Sequence, residues 1–288
     1  MRDAGWRKSN TGTLMYTVTG LCIAEKLRLI HHRFPLLTAA QLALFHHLDS
    51  GGTRLTSLAA RAGLTKQSMV ELVNKASRNG LVDRQSDRDD KRAKIIVPTD
   101  EGRRLIAVLA KAVIETDSQL DRILGPALAA EMPLQLGSYT AEALSGSTAR
   151  LLSLASQRFA GEALDYANSR GDAQVGAVLL ALFRNLDLAG TRLTVLASRA
   201  RMTKQSMREL VDRAEELGLT AREVDPTDAR AKVITFTASG LDLLEAIRNG
   251  IAHSEARLIA ATAPGFVDRM RKGLSLYIAV AGSGNSVR

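Results

Sequence analysis

The chain carries one module twice. Residues 54–102 recur as residues 192–240 at a constant shift of 138 positions, without insertion or deletion and with about half of the positions identical. The best-kept stretches are TKQSM, at Thr65–Met69 and Thr203–Met207, and RAK, at Arg92–Lys94 and Arg230–Lys232. Both stretches are polar, so core packing does not explain why the two copies share them. Each copy is long enough to bury a core of its own.

The apolar spacing within each copy predicts a series of helices. An amphipathic helix comes first, followed by a short helix for which Thr56 and Thr194 are the predicted N-caps. Thr65 and Thr203 are expected to cap a third helix, whose apolar residues at i, i+3, i+4 and i+7 form one buried stripe. The opposite face of this third helix is polar and is therefore available to a partner.

After the third helix, the spacing of the apolar residues changes from that of a helix to that of a strand. LVDR and KIIV, like LTAR and KVITF, predict two short strands around a charged loop, which makes a β-hairpin. Thr99 and Thr237 then precede long helices predicted at about 100–124 and 238–261, each followed by a proline and one more helix. The copies join near residues 144–149, where Ser145, Gly146 and Ser147 interrupt the helical pattern.

These elements predict a mainly α fold with small β-wings, of the α+β class. A short helix, a turn, a helix with a polar outer face and a charged hairpin together form a winged helix-turn-helix, whose second helix fits a major groove. We expect residues 1–12 to be a basic N-terminal extension, residues 13–146 to be the first winged-helix copy and residues 147–288 to be the second.

The composition favours a polyanionic partner. The chain has 39 Lys and Arg against 30 Asp and Glu, a net charge of +9. No apolar run approaches the ~20 residues that a membrane-spanning helix needs, and the polar N-terminus is unlike a secretion signal. A single cysteine, Cys22, fits a reducing compartment. We therefore expect a cytoplasmic protein that does not contact membranes.

Each copy resembles the MarR family of bacterial transcription regulators. The segment that carries the resemblance runs from LTSLAARAGLTKQSM to the DEG of residues 100–102. Its repeat in the second copy runs from LTVLASRARMTKQSM to the ASG of residues 238–240. The wing signature D-x-R of the family is present as Asp90-Lys91-Arg92 and Asp228-Ala229-Arg230, and its wing-to-helix threonine as Thr99 and Thr237. The resemblance implies a transcription regulator, by analogy a repressor, that binds double-stranded DNA.

The DNA-binding residues are expected on the third helix and the wing of each copy. Thr65 and Lys66, like Thr203 and Lys204, lie at a helix N-terminus, where backbone N–H groups and an ammonium can hold a phosphate. The Asp of D-x-R is expected to orient the guanidinium of its Arg for a minor groove. The predicted DNA-binding set is Thr65, Lys66, Gln67, Ser68, Val70, Asn74, Arg92, Lys94, Thr203, Lys204, Gln205, Ser206, Arg208, Asp212, Arg230 and Lys232.

The resemblance also implies how the chain assembles and how it is regulated. Family members are homodimers with interlocked terminal helices, so two fused copies imply an intrachain pseudo-dimer with a pseudo-twofold axis, and a further homodimer stays open. The copies differ at Val70 against Arg208 and at Asn74 against Asp212, which predicts an imperfect palindrome as operator. Many relatives release DNA when a small aromatic acid binds, and others sense oxidants or metals.

Other functions have less support in the sequence. Cys22 is expected to be a buried structural thiol rather than an oxidant sensor. A zinc site on His31-His32 and His46-His47 can be imagined, but adjacent histidines point to different helix faces and the second copy lacks all four. No catalytic or cofactor-binding motif is present, so we expect neither an enzyme nor a cofactor. The alternative is a winged-helix scaffold for protein partners that no longer binds DNA.

Overall fold

The fold is mainly helical and contains two small antiparallel sheets, which confirms the α+β class predicted from the sequence. The computed structural model describes residues 9–62, 64–87, 94–141, 147–170, 175–176, 178–200 and 202–284. The expected wing motif Asp90-Lys91-Arg92 and residues 144–146 of the expected join between the copies lie outside these residues. Thr19–Ile123 form one compact unit, and Met1–Val18 together with Leu124–Arg288 form the other.

The first copy contains the predicted elements in the predicted order, with a long helix before them and one additional short strand. Its helices and strands are α1 (Thr11–His31), α2 (Ala39–His47), β1 (Thr53–Arg54), α3 (Leu55–Arg61), α4 (Lys66–Arg78), β2 (Val82–Ser86), β3 (Lys94–Pro98), α5 (Asp100–Leu124) and α6 (Pro126–Thr140).

The second copy repeats the same order. Its elements are α7 (Thr148–Asn168), α8 (Leu179–Asn185), β4 (Thr191–Arg192), α9 (Leu193–Ala200), α10 (Lys204–Glu216), β5 (Thr220–Asp225), β6 (Asp228–Phe236), α11 (Ala238–Ala260) and α12 (Phe266–Gly284).

A short strand before the short helix of each copy, β1 before α3 and β4 before α9, is the main departure from the sequence-based expectation. Strand β1 pairs with β3, which also pairs with β2, so each wing is a three-stranded sheet rather than a hairpin. Because the chain leaves β1 directly into α3, Thr56 lies inside that helix and Arg54 occupies the N-cap position. The prediction of Thr56 and Thr194 as N-caps is therefore wrong, since α9 likewise begins at Leu193.

Each unit has an apolar core under its helix-turn-helix. In the first, Met69, Val73 and Ala76 of α4 are fully buried among residues of α2, α3 and α5. In the second, Met207, Val211 and Ala214 of α10 take the equivalent places. Helices α4 and α10 are the predicted third helices of the two copies, and they keep that name below. Because residues three and four apart lie on one face, this burial fixes which face of each third helix remains outside.

The second unit adds a layer of long helices to its winged helix. Helices α7 and α11 cross closely at Gly250, where a Cβ atom would lie 2.2 Å from the carbonyl oxygen of Ala163. Helix α6 packs against α7 and α12. The N-terminal turn of α1 joins this layer, because the Thr11 hydroxyl donates to the Glu255 carboxylate and the Arg271 guanidinium donates to the Ser9 carbonyl oxygen.

Candidate DNA-binding faces

The start of the third helix is built identically in both copies. The Thr65 hydroxyl oxygen accepts a hydrogen bond from the Ser68 backbone N–H at 3.1 Å, and Thr203 accepts from Ser206 at 3.0 Å. The prediction that both threonines are N-caps is confirmed. The hydroxyl groups of each Thr and Ser pair also bond to each other at 2.9 Å. Lys66 and Lys204 follow in the first turn and are exposed.

The outer face of each third helix is exposed to solvent, as the polar pattern predicts. Lys66, Gln67 and Ser68 are exposed on α4, and Val70 is half-buried. On α10, Lys204, Gln205 and Arg208 are exposed, and Ser206 is half-buried. The Gln205 amide donates to the Glu209 carboxylate at 2.9 Å, so part of its donor capacity is used within the helix.

Asn74 and Asp212 are exposed on the same faces, but each bonds to an arginine of the adjacent wing strand. The Arg84 guanidinium donates to the Asn74 side-chain oxygen at 2.7 Å. The Arg222 guanidinium donates to Asp212 at 2.6 Å and also to Glu215. Sequence reasoning missed both arginines, although their recurrence at the same place in LVDR and LTAR was a usable signal.

A second arginine, on β1 or β4, forms a hydrogen bond to the wing of each copy. The Arg54 Nε atom donates to the Asp87 carboxylate at 2.6 Å, and the Arg192 Nε atom donates to Asp225 at 2.5 Å. Two hydrogen bonds from Thr227 together with that from Arg192 lower the pKa of Asp225 to about 2. These pairs join residues 33 positions apart, so periodicity could not reveal them.

The wing of the second copy differs from the expected D-x-R arrangement. The Asp228 carboxylate accepts from the backbone N–H of Arg230 at 3.1 Å, and a guanidinium nitrogen of Arg192 lies 3.6 Å from it. Asp228 therefore shapes the turn, and the side chain of Arg230 is exposed. Lys232 is also exposed, whereas the Lys94 ammonium donates to the Ser86 hydroxyl at 2.9 Å across the first wing.

A shared polar network holds the short helix in place beneath the third helix. In the first copy, Arg61 donates to the Asp49 carboxylate at 2.8 Å, and Thr53 donates to the same group at 2.9 Å. Hydrogen bonds from Arg61 and then Thr53 lower the pKa of Asp49. Asp187, Thr191 and Arg199 repeat the arrangement in the second copy. The recurrence indicates that the helix-turn-helix angle is set in the same way twice.

A cavity of about 570 Å³ lies inside the second unit, between the N-terminal turn of α1 and helices α7, α8 and α11. Its lining is mostly apolar and includes Phe159, Phe183 and Met202. The Arg184 guanidinium carbon is 4.4 Å from the centre of the Tyr16 ring, and burial lowers the pKa of Arg184. Among the described residues no carboxylate pairs with Arg184. Sequence periodicity did not predict this cavity.

The remaining sequence candidates are structurally ordinary. Cys22 is buried on α1, which confirms the prediction of a buried thiol. His31, His32 and His46 are exposed. In the part of the chain that the structure describes, no three His, Cys, Asp or Glu side chains converge as a metal site. None of the helices within those same residues has the length and apolar character required to cross a membrane.

Comparisons with known proteins agree with this geometry. The model of the MarR family matches residues 37–93, which span α2 to the first wing. The transcriptional regulator HosA of Escherichia coli O127:H6 is 34% identical over 104 residues, covering 36% of this chain and 75% of the relative. HosA of Escherichia coli O157:H7 is 33% identical over 104 residues, which again cover 36% of this chain and 75% of the relative.

Solved structures of transcription regulators also resemble parts of the chain. CouR from Rhodococcus jostii RHA1, bound to p-coumaroyl-CoA, is 25% identical with a TM-score of 0.39, over 48% of this chain and 94% of that one. A probable transcriptional regulator from Pseudomonas aeruginosa is 21% identical with a TM-score of 0.37, over 44% and 94%. Membership rests on the sequence matches, since HosA is more than 30% identical over three quarters of its length. The chain belongs to the MarR family of transcription regulators.

Proposed function

We propose that this protein is a repressor in which one chain binds an imperfect DNA palindrome through both winged-helix copies, and that an aromatic acid releases it. Its place of action would then be the cytoplasm, where the DNA is. The observation that carries the proposal is the pair of exposed third helices, each with the same threonine cap and the same lysine in its first turn. Such a helix start can bind a phosphate, and the outward side chains can reach base edges.

Contacts inside the second unit support the pseudo-dimer. Glu131 of the first copy and Arg269 of the second occupy equivalent positions, and their side chains form an ion pair at 2.6 Å. Residues that contact their own equivalents lie on the symmetry axis of an isologous pair. Helix α6 of the first copy packs with α7 and α12 of the second copy, and Thr11, among the residues expected to precede the first copy, bonds to Glu255 of the second. We take 13–146 and 147–288 as the paired halves.

Differences between the two outer faces support an imperfect palindrome. The half-buried apolar side chain of Val70 corresponds to the exposed cation Arg208, which can donate two hydrogen bonds to guanine. Each half-site of the operator is then read by a different set of donors and acceptors. Selection of bound fragments from random DNA tests this directly, and a perfect palindrome would contradict it.

A salt titration separates DNA binding from the scaffold alternative. Neutralised phosphates release counterions, so affinity for a duplex should fall steeply as salt rises from about 50 to 200 mM. Arg92→Ala and Arg230→Ala should each weaken specific binding by about 1 to 3 kcal/mol with an unchanged melting temperature. A chain that binds no duplex at either salt concentration would instead be a scaffold.

The cavity of the second unit supports an acidic aromatic effector. Its lining is apolar, while Arg184 supplies a cation that pairs with no carboxylate among the described residues. A carboxylate on Arg184 with a ring against Phe159 and Phe183 would satisfy both features. Met202 also lines the cavity and directly precedes the cap Thr203 of α10, so an occupant can displace the start of the third helix.

Substituted benzoic acids and their neutral amides test the effector. The acids should release DNA from the parent chain, and the amides, which lack the charge, should require at least about tenfold higher concentration. Arg184→Met should abolish the difference between acid and amide without changing DNA affinity in their absence. His46→Met, at the equivalent position of the first copy, is the control and should respond as the parent does. Equal release of Arg184→Met and the parent by the acids would refute the role of this arginine.

A further inference from the structure

The third helices of the two copies differ in charge. Three basic residues and one acidic residue lie on α4, namely Lys66, Lys75, Arg78 and Glu71. Helix α10 keeps three basic residues but carries four acidic ones, namely Lys204, Arg208, Arg213, Glu209, Asp212, Glu215 and Glu216. The two helices are capped identically, so they differ in charge while their local structure at the N-terminus is the same.

The wing arginines next to these helices show what the extra acidic residues do. Arg84 bonds to the neutral side-chain oxygen of Asn74, and within the described part of the first copy no carboxylate pairs with it. Arg222 lies between two carboxylates, those of Asp212 and Glu215. Residue 77, equivalent to Glu215, is an exposed serine. Among the described residues, the arginine at the helix–wing junction is therefore paired with two carboxylates in the second copy and with none in the first.

These charges determine how strongly each junction attracts a DNA backbone. A phosphate that approaches Arg222 meets Asp212 and Glu215 within the Debye length of about 8 Å at physiological salt, and their repulsion opposes binding. A phosphate that approaches Arg84 meets a cation whose partner, among the residues that the structure describes, is an amide oxygen. Because affinity for DNA depends on the number of phosphates neutralised, the two copies cannot contribute equally.

We propose that the first copy provides most of the electrostatic affinity for DNA, and that Asp212 and Glu215 make the second copy the weaker one. This inference rests on the proposed DNA-binding function and adds to it which copy binds DNA more strongly. The effector cavity belongs to the unit that contains the second copy, so the effector acts on the copy that holds DNA less firmly. Release would begin at the second half-site while the first copy stays bound.

Matched alanine substitutions of Lys66 and Lys204 test whether the two copies contribute unequally to DNA affinity. Binding is measured on a labelled duplex of about 40 base pairs with a random central sequence, which requires no knowledge of the operator. Lys66→Ala should weaken binding about tenfold at low salt and reduce the slope of log affinity against log salt by about 1. Lys204→Ala should weaken binding less than about twofold. Both lysines are exposed, and melting curves should coincide with that of the parent.

A second set of variants tests whether Asp212 and Glu215 cause the unequal contributions of the two copies. Asp212→Asn with Glu215→Ser gives the second copy a neutral pair equivalent to Asn74 and Ser77 of the first copy. In this background Lys204→Ala should weaken binding about as much as Lys66→Ala does in the parent chain. Equal losses for the two lysines in the parent chain would overturn the proposal, as would a loss for Lys204→Ala that the background leaves unchanged. A parent chain that binds no duplex would overturn the proposed function itself, and this inference with it.

Discussion

The two copies agree in the bonds that set the third helix and disagree in the charges that surround it. Both have a threonine cap, and both have an Asp–Thr–Arg network under the short helix. In both, the threonine before the long helix donates at 2.6 Å to the carbonyl oxygen of the glycine that follows the third helix, Gly80 or Gly218. Some positions on the exposed face have diverged, such as Asn74 against Asp212, although each still accepts a hydrogen bond from the wing arginine of its own copy.

This difference shows which part of a duplicated module is free to change. A lost cap costs about 1 kcal/mol in either copy, so both copies are held to the same framework. A charge on an exposed face costs the fold little, since surface ion pairs contribute about 0 to 1 kcal/mol. Divergence on the exposed faces of the third helices therefore costs the fold little, and two copies within one chain can carry different charges without different folds.

The largest effect expected is one that both copies share. A Cβ atom at Gly102 or Gly240 would lie 2.0 or 1.9 Å from the carbonyl oxygen of Leu81 or Leu219. We expect Gly102→Ala and Gly240→Ala each to lower the free energy of unfolding by about 3 kcal/mol, because a backbone atom must move. Urea unfolding monitored by circular dichroism measures this loss.

Gly20→Ala is the matched control for these two variants. Nothing lies within 4 Å of a Cβ atom at Gly20, which is inside α1. Alanine should therefore stabilise the helix by up to about 1 kcal/mol. If one of Gly102→Ala and Gly240→Ala were as stable as the parent, the copies would not share the framework described above.

Local signals in the sequence were sufficient for most of the framework. The periodicity and the threonine caps placed the third helices, and the predicted bounds 100–124 of the long helix agree with α5. Each of these signals lies within a few residues of the feature that it predicts. Such features depend on side chains and backbone groups of the same turn, so a single sequence contains the information.

Pairings between distant residues were not predictable in the same way. The strands β1 and β4 have two residues each and exist because they pair with a wing strand about 40 residues later. Arg54 and Arg192 belong to those strands, so their bonds to the wing were missed with them. The cavity likewise requires separate segments to meet, from the N-terminal part of α1 to α7, α8, Met202 and α11. Tertiary packing decides such features, and no local pattern encodes it.

A smaller effect is expected where equivalent residues of the two copies meet. Glu131→Arg would place two arginines at the Glu131–Arg269 contact, and Arg269→Glu would place two glutamates there. Each variant makes the copies identical at this site, and each should lower stability by about 1 kcal/mol, because attraction becomes repulsion at a partly exposed pair. The double reversal should restore most of the loss, which a double-mutant cycle measures. Additive losses would show that the two charges do not interact.

The smallest effect concerns the turn of the second wing, where the copies differ by Thr227 against Asp89. The side-chain and backbone groups of Thr227 and then Arg192 donate to Asp225 and lower its pKa from 3.8 to about 2. A carboxyl group with a lowered pKa stabilises the fold above its unfolded pKa, and this contribution is lost as the pH falls towards 2. In Thr227→Ala the hydroxyl donor is absent, so the carboxyl carbon of Asp225 should titrate at a higher pH in an NMR experiment. Arg192→Ala should raise the pKa less, because Thr227 supplies the larger effect. The reverse order of the two variants would mean that the arginine, which both copies share, and not the threonine of the second copy, holds this carboxylate ionised.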